Sequence, residues 1–261
     1  MKEKEVKKEV KKTKESARAR LKLNIPSPQE MLMAGVHFGH VSKRWSPLMA
    51  PYIYAKKLNS HIIDLYKTED LLKKSCDFLY NLASKGEKIL FLGTKAQVKD
   101  IVEHEAKKCG AMYITKRWLG GTFTNFDVIK SSRDNLKRLV EERELGKHKQ
   151  YTKKERLLIA RKVNKLREYH EGTLAMDKPP SAIFIVDIKR ESTAVKESNL
   201  SNIPIVALVD TNSDPKNVDY VIPGNDDAIK SVELIVKTLA DVVGVGYKKL
   251  ADQAGNIKFE N

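Results

Sequence analysis

The sequence predicts an α/β fold: an open, doubly wound parallel sheet interrupted by an inserted antiparallel coiled-coil helical hairpin. Three observations lead there. Short, near-continuous apolar runs such as Ile89-Leu90-Phe91-Leu92 and Ala182-Ile183-Phe184-Ile185-Val186 recur along the chain, and strands apolar at every position are buried on both faces. Amphipathic helical patterns separate them, as in a sheet built from strand–helix–strand units. Between Asn125 and Met176 the strand signal stops and a highly charged helical pattern takes over.

The first ordered element is predicted at Ser27-Pro28-Gln29-Glu30, a capping box with proline at the first helical position. Met31, Leu32 and Ala34 supply its apolar contacts and Gly35 stops it. A polar, aromatic stretch from Val36 to Asn59 follows, within which Tyr52-Ile53-Tyr54 is read as a short strand, as is His61-Ile62-Ile63 just after it. Thr68 is expected to cap a helix running to Lys85, with Leu72, Cys76, Leu79 and Ala83 on one face and Gly86 at its end. Lys88 to Leu92 is a strand. Thr94 to Lys108 is expected as the next helix, with Val98, Ile101, Val102 and Cys109 inward and Gly110 closing it. Met112-Tyr113-Ile114 is the following strand. The alternation resumes with a strand at Ala182–Val186, a helix near Thr193–Asn199, and strands at Ile203–Val209 and Tyr220-Val221-Ile222. Asn225 is expected to cap a last helix from Asp226 to Val243, striped by Ile229, Val232, Val236 and Leu239.

In the charged insertion, Ile129, Leu136 and Val140 recur at helical spacing, and Leu158 or Ile159 repeats it with Val163 and Leu166. Gly146-Lys147-His148-Lys149 separates the two runs and Thr152-Lys153-Lys154-Glu155 caps the second. Two antiparallel helices follow from this. They carry Lys130, Arg133, Lys137, Arg138, Arg143, Arg156, Arg161, Lys162, Lys165 and Arg167, either as a solvated face or as one that meets RNA or a neighbouring protein. The expected organisation is a basic N-terminal extension over 1–25, an α/β domain over 26–124 and 177–250, a hairpin over 125–176, and a C-terminal tail over 251–261. The extension holds ten Lys and Arg against four Glu, a net +6. It lacks a buried face and is expected either to remain solvated or to order on RNA.

The 261-residue chain has a formal net charge of +15. Such an excess of cations points to a polyanionic partner, nucleic acid or an anionic membrane surface. Cys76 and Cys109 lack CxxC spacing and read as reduced core residues. No run of about 18 apolar residues is present, the N-terminus has no apolar signal core, and a cytoplasmic protein is expected.

Four constellations carry possible chemistry. Phe91-Leu92-Gly93-Thr94-Lys95 is a strand–turn–helix that reads as a helix cap or as a phosphate cradle. With a single glycine it falls short of a dinucleotide or Walker fingerprint. His37 and His40 have metal-chelating spacing but no companion pair, so no metal is expected there. Their surroundings interleave cations and rings: His37, Phe38, His40, Lys43, Arg44, Trp45, Tyr52, Tyr54, Lys56 and Lys57. This mixture suits irregular RNA, whose bases stack on rings while cations meet phosphates. In Lys116-Arg117-Trp118-Leu119-Gly120-Gly121-Thr122-Phe123-Thr124-Asn125, Lys116 and Arg117 offer phosphate contacts, while Trp118 is either a stacking ring or a buried one. Asp210, Asp214, Asp226 and Asp227 sit in loops after strands, where they could bind Mg²⁺ or cap helices. No nucleophile with an identifiable base is present, so no catalytic residue and no cofactor is assigned.

In their order along the chain, several of these segments resemble the bacterial small-subunit ribosomal protein S-two family. They are Ala34-Gly35-Val36-His37-Phe38-Gly39-His40, Arg44-Trp45-Ser46-Pro47-Leu48-Met49, Tyr52-Ile53-Tyr54, His61-Ile62-Ile63-Asp64-Leu65, Gly93-Thr94-Lys95, Arg117 to Asn125, Ile203 to Asn212, and Val221 to Ile229. The resemblance spans about Pro28 to Val243. It departs from the family's pattern at Ser42, Ser46 and Leu48, in a longer N-terminal extension and in the lack of a long acidic tail. It implies a parallel α/β domain with a coiled-coil hairpin. It also implies a non-catalytic place in the cytoplasmic ribosome, on the solvent side of the small subunit. The implied partners are small-subunit rRNA and neighbouring small-subunit proteins, including the large OB-fold protein S-one, with no membrane and no homo-oligomer. The RNA-binding candidates are His37, His40, Lys43, Arg44, Trp45, Lys56, Lys57, Lys95, Lys116 and Arg117. A nucleotide- or phosphate-binding enzyme with a Rossmann-like sheet is the alternative.

Overall fold

The computed structural model describes residues 24–57 and 59–257; most of the N-terminal extension and the last four residues lie outside them. The chain opens with α1 (Pro28–Met33), then β1 (Phe38–Val41), β2 (Ile53–Lys57) and β3 (Ser60–Ile63). The alternating part comprises α2 (Leu65–Ala83), β4 (Ile89–Leu92), α3 (Lys99–Cys109) and β5 (Met112–Ile114). Helices α4 (Phe126–Glu144) and α5 (Lys153–His170) follow. The chain ends with β6 (Ala182–Val186), α6 (Ser192–Leu200), β7 (Ile205–Val209), β8 (Tyr220–Pro223) and α7 (Ile229–Ile257).

Five strands form one parallel sheet in the order β5-β4-β6-β7-β8. Numbered within that sheet alone, the order is 2-1-3-4-5, a common doubly wound arrangement whose switch point lies between β4 and β6. Side chains alternate between faces along each strand. Ile89 and Phe91 join Phe184, Val206 and Leu208 on the face covered by Leu72, Cys76 and Leu79 of α2, Val102 of α3, and Val232, Val236 and Leu239 of α7. Leu90, Leu92, Ile183, Ile185 and Ala207 face the other way, against Trp118, Phe123, Met176 and Ala194. Every residue of β4, β6 and β7 is buried, as the continuous apolar runs predict. Truncating a buried leucine such as Leu72 or Leu79 to alanine costs roughly 2–5 kcal/mol.

Local signals account for most helix ends. Ser27 and Glu30 close the capping box of α1, Thr152 and Glu155 close that of α5, and Gly110 ends α3 with φ +77°, in the left-handed region that favours glycine. Three starts differ from expectation. Helix α2 is capped by Asp64, whose carboxylate accepts from the Tyr66 and Lys67 amides. Thr68 lies inside the helix, fully buried, and its hydroxyl donates to the Pro223 carbonyl at 2.7 Å. Helix α3 starts at Lys99, because Thr94 is drawn to Glu191 across the sheet. Asn225 does accept from the Asp227 and Ala228 amides, but α7 begins only at Ile229. That residue is 52% exposed, and Ile235 replaces it in the buried stripe. The strand β1, not foreseen, joins β3 and β2 in a three-stranded antiparallel sheet of order β1-β3-β2.

Within 125–176, α4 and α5 pack through Leu136, Leu139 and Val163, flanked by Val140, Ile159, Leu166 and Leu174. Leu158 is 53% exposed, so Ile159 is the inward residue of that pair. Arg133, expected among surface cations, is 1% exposed. Its guanidinium lies 4.9 Å from the Phe126 ring centroid and donates to the Thr173 carbonyl at 3.0 Å.

Candidate nucleic-acid interface

The small antiparallel sheet carries most of the cation–aromatic candidates. A 3-10 turn at Ser42–Arg44 projects Lys43 and Arg44 into solvent, and the exposed strand β2 does the same for Lys56 and Lys57. Trp45 is half-exposed and stacks on His61, ring centroids 4.8 Å apart. Phe38 and Tyr54 are also exposed. Among the described residues, none of Lys43, Arg44, Lys56 and Lys57 pairs with a carboxylate. Cations left unpaired beside open rings can meet phosphates and bases together. His37 packs on Phe38 at 3.9 Å and is half-buried, and this burial holds its imidazole below the usual histidine range.

His40 and Lys95 are placed differently from the exposed candidates: both are engaged by carboxylates in the crevice. Gly39 lets β1 run tightly against Thr211: a Cβ there would meet the threonine side chain at 2.6 Å. His40 then points inward, with Nδ1 2.9 Å from Asp210 and Nε2 3.2 Å from Asp227. The hydrogen bond that its imidazole donates to the Asp210 carboxylate raises its pKa against the opposing effect of burial. Lys95 lies at the carboxyl end of β4, at the switch point of the sheet. Its ammonium is 2.9 Å from Asp187, 2.9 Å from Asp226 and 2.8 Å from Asp227. Burial works against its charge, but these carboxylates outweigh burial and hold its pKa above the ordinary lysine value. The crevice where doubly wound folds bind phosphates is thus filled by an internal ammonium ringed with carboxylates. That field repels an anion.

The same crevice suits cations. His40, Asp210 and Asp226 each bring one ligand atom within 4.8 Å of the others. Asp226 is 1% exposed and its Oδ2 has no hydrogen-bond partner among the described residues. Burial first, then the charges of Asp187 and Asp210, push its carboxyl up to about 7. One imidazole and two carboxylates form a donor set of the kind that holds a divalent transition metal. The sequence offered His37 with His40, and separately Asp210 and Asp226, as possible ligands; it did not join His40 to those carboxylates, because Asp210 lies 170 residues from it along the chain. Asp214 does cap a turn, accepting from Lys216.

In the Lys116–Asn125 segment, Arg117 is exposed and unpaired among the described residues, while Lys116 lies 3.2 Å from Glu168 on α5. Trp118 is buried, edge-on to Phe123 at 4.9 Å. The residue that organises this loop is one the sequence did not single out. Glu197 of α6, 6% exposed, accepts from the Trp118 indole at 3.1 Å, the Gly121 amide at 2.8 Å and the Phe123 amide at 3.0 Å. A carboxylate holding backbone amides in a glycine turn looks like an ordinary helix-surface glutamate until the fold brings loop and helix together. Cys76 is buried and Cys109 half-buried, and burial pushes their thiols up to about 12 and about 11. Both are unreactive core thiols, as expected.

Comparison with known proteins gives one consistent match. The family model described as Ribosomal protein S2 matches residues 31–246. Small ribosomal subunit protein uS2c of Cyanophora paradoxa is 50% identical over 219 residues, covering 84% of this chain and 94% of the relative. Small ribosomal subunit protein uS2 of Geotalea uraniireducens (strain Rf4) is 46% identical over 232 residues, 89% of each chain. The uS2 protein of Petrotoga mobilis is 46% identical over 221 residues, covering 85% of this chain and 77% of the relative. The ordered motifs, the parallel sheet with its paired helices and these matches agree: the chain belongs to the Ribosomal protein S2 family.

Proposed function

We propose that this chain is a non-catalytic structural constituent of the small ribosomal subunit, acting in translation in the cytoplasm by binding small-subunit rRNA. The observation that carries the reading is the exposed surface of Lys43, Arg44, Trp45, Lys56 and Lys57, whose four cations have no carboxylate partner among the described residues. Arg117 extends it and His37 borders it. Phosphate contacts supply salt-sensitive affinity and the rings select splayed bases over regular duplex. Helices α4 and α5 act as an antiparallel coiled-coil hairpin inserted in the α/β domain. The chain works as a single copy among other small-subunit proteins, including the large OB-fold protein S-one. The alternative of a nucleotide-binding enzyme is disfavoured by the ammonium and carboxylates that fill the switch-point crevice.

The test is titration of the purified chain with small-subunit rRNA and, separately, with mononucleotides. Salt-dependent RNA binding without saturable nucleotide binding is expected. Micromolar nucleotide binding with turnover would overturn the structural reading.

A further inference from the structure

The paired helices of residues 126–170 differ in charge. Helix α4 has five basic and five acidic residues, whereas α5 has seven basic and two acidic. Both acids of α5 are already engaged: Glu155 closes the cap with Thr152, and Glu168 lies against Lys116. On other helices some exposed cations are paired within the helix, as with Lys73–Glu69 on α2, Lys107–Glu103 on α3 and Arg138–Glu142 on α4. Among the described residues, the exposed cations of α5 from Arg156 to Arg167 have no such partner.

Direction around the helix sharpens this. Val163 and His170 are the buried residues of α5 and mark its inward side. At 3.6 residues per turn, Lys154, Arg161 and Lys165 fall on the opposite side, and all three are exposed. Arg161 and Lys165 are about 6 Å apart along the axis, with Lys154 about 10 Å beyond Arg161. This row spans several neighbouring phosphates of a nucleic-acid strand. A merely solvated face would mix signs, as α4 does.

We propose that the outward row Lys154, Arg161 and Lys165 of α5 is a second RNA-contact surface, one that binds the sugar-phosphate backbone of small-subunit rRNA while α4 is turned away from it. This rests on the reading that the chain binds rRNA, and it chooses which face of the helical pair does so. The contact is made to phosphates, so it reads position and shape and not base identity.

The experiment compares the full chain with two variants of equal charge. One is Lys154→Gln with Arg161→Gln and Lys165→Gln. The other is Lys130→Gln with Lys137→Gln and Arg143→Gln, three exposed residues of α4. Each is titrated with small-subunit rRNA over a salt series. For the α5 variant, the slope of log K against log salt should fall by about 2–3, at roughly 0.7–0.9 per phosphate lost, with about tenfold weaker binding at low salt. The α4 variant should bind within about twofold of the unaltered chain. Melting temperatures identical in all three would establish that folding is untouched. Equal losses in both variants, or none in the α5 variant while the unaltered chain binds with strong salt dependence, would overturn this proposal alone. So would normal binding to naked rRNA combined with failed incorporation into subunits, which would assign the row to a protein partner. Absence of rRNA binding by the unaltered chain would overturn both readings together.

Discussion

Gly172 lies so close to Tyr113 that a Cβ on it would sit 2.2 Å from the tyrosine carbonyl oxygen. Tyr113 belongs to β5, the edge strand of the parallel sheet, and Gly172 belongs to the turn that returns from α5. Closing that edge with a returning segment protects it from stray strand pairing. Gly172→Ala should therefore force backbone apart and destabilise the chain by roughly 2–4 kcal/mol. Gly120→Ala, where a Cβ meets nothing within 4 Å, should change stability by less than about 0.5 kcal/mol. Thermal unfolding of the two variants side by side checks this, and equal midpoints would refute it.

Glu197→Ala removes the shared acceptor of the Trp118 indole and two amides. Each buried donor left unsatisfied costs roughly 1–3 kcal/mol, so a loss of about 3–5 kcal/mol is expected. Glu197→Gln keeps one acceptor oxygen and should lose about half as much. Denaturant titration gives both values; an alanine variant within about 1 kcal/mol of the unaltered chain would contradict the role assigned to Glu197.

Lys95→Met leaves Asp187, Asp226 and Asp227 facing one another without their cation. Breaking a buried ion pair from one side costs roughly 3–5 kcal/mol. The same variant should bind rRNA with unchanged salt dependence at a temperature where it is folded, because Lys95 is turned into the crevice. A flattened salt slope would return it to the RNA interface.

Lys43→Ala with Arg44→Ala removes two exposed, unpaired cations. The salt slope of rRNA binding should fall by about 1.5–2, with the melting temperature unchanged. Identical slopes would count against the surface around the small antiparallel sheet.

Acid should weaken the fold through its buried histidines. His170 is 3% exposed, bonded to Ser132 at 3.0 Å, and its pKa is lowered by burial and then by the Arg133 charge. His37 and His61 are lowered as well, chiefly by burial. A histidine whose folded pKa lies below its unfolded value near 6.5 binds protons more readily when unfolded. Its stabilising contribution is therefore present above that value and is lost as pH falls through the folded pKa. His170→Gln should make stability less dependent on pH between about 7 and 5. An unchanged slope in melting temperature against pH would rule this out.

Features set within three or four residues were legible from the chain. Ser27 with Glu30, Thr152 with Glu155, and Gly110 each solve a local problem of unpaired helix-end groups, and the apolar runs of β4, β6 and β7 reflect burial on both faces. Competition and distance hid the rest. Asp64 out-competed Thr68 as a cap because Thr68 was needed by the Pro223 carbonyl, 155 residues on. Lys95 looked like a phosphate ligand because its carboxylates come from loops up to 132 residues away. Arg133 was indistinguishable from its charged neighbours, since only the packing of α4 against the return turn buries it.

The mounting of the helical pair has a further consequence. Arg133 bonded to Thr173, and Gly172 wedged on Tyr113, anchor α4 and α5 to the sheet at their base. A 19-residue α4 reaches about 28 Å from there. A hinged arm would let its tip sample many positions, diluting any second contact after the first had formed. A fixed arm raises the effective concentration of one contact at the other, so two modest affinities multiply into strong avidity, but only for an RNA that presents both targets at this spacing. On the two-contact reading proposed above, discrimination of folded small-subunit rRNA from other polyanions would come from the distance between contacts, a property carried by the buried base of the arm and by neither contact alone.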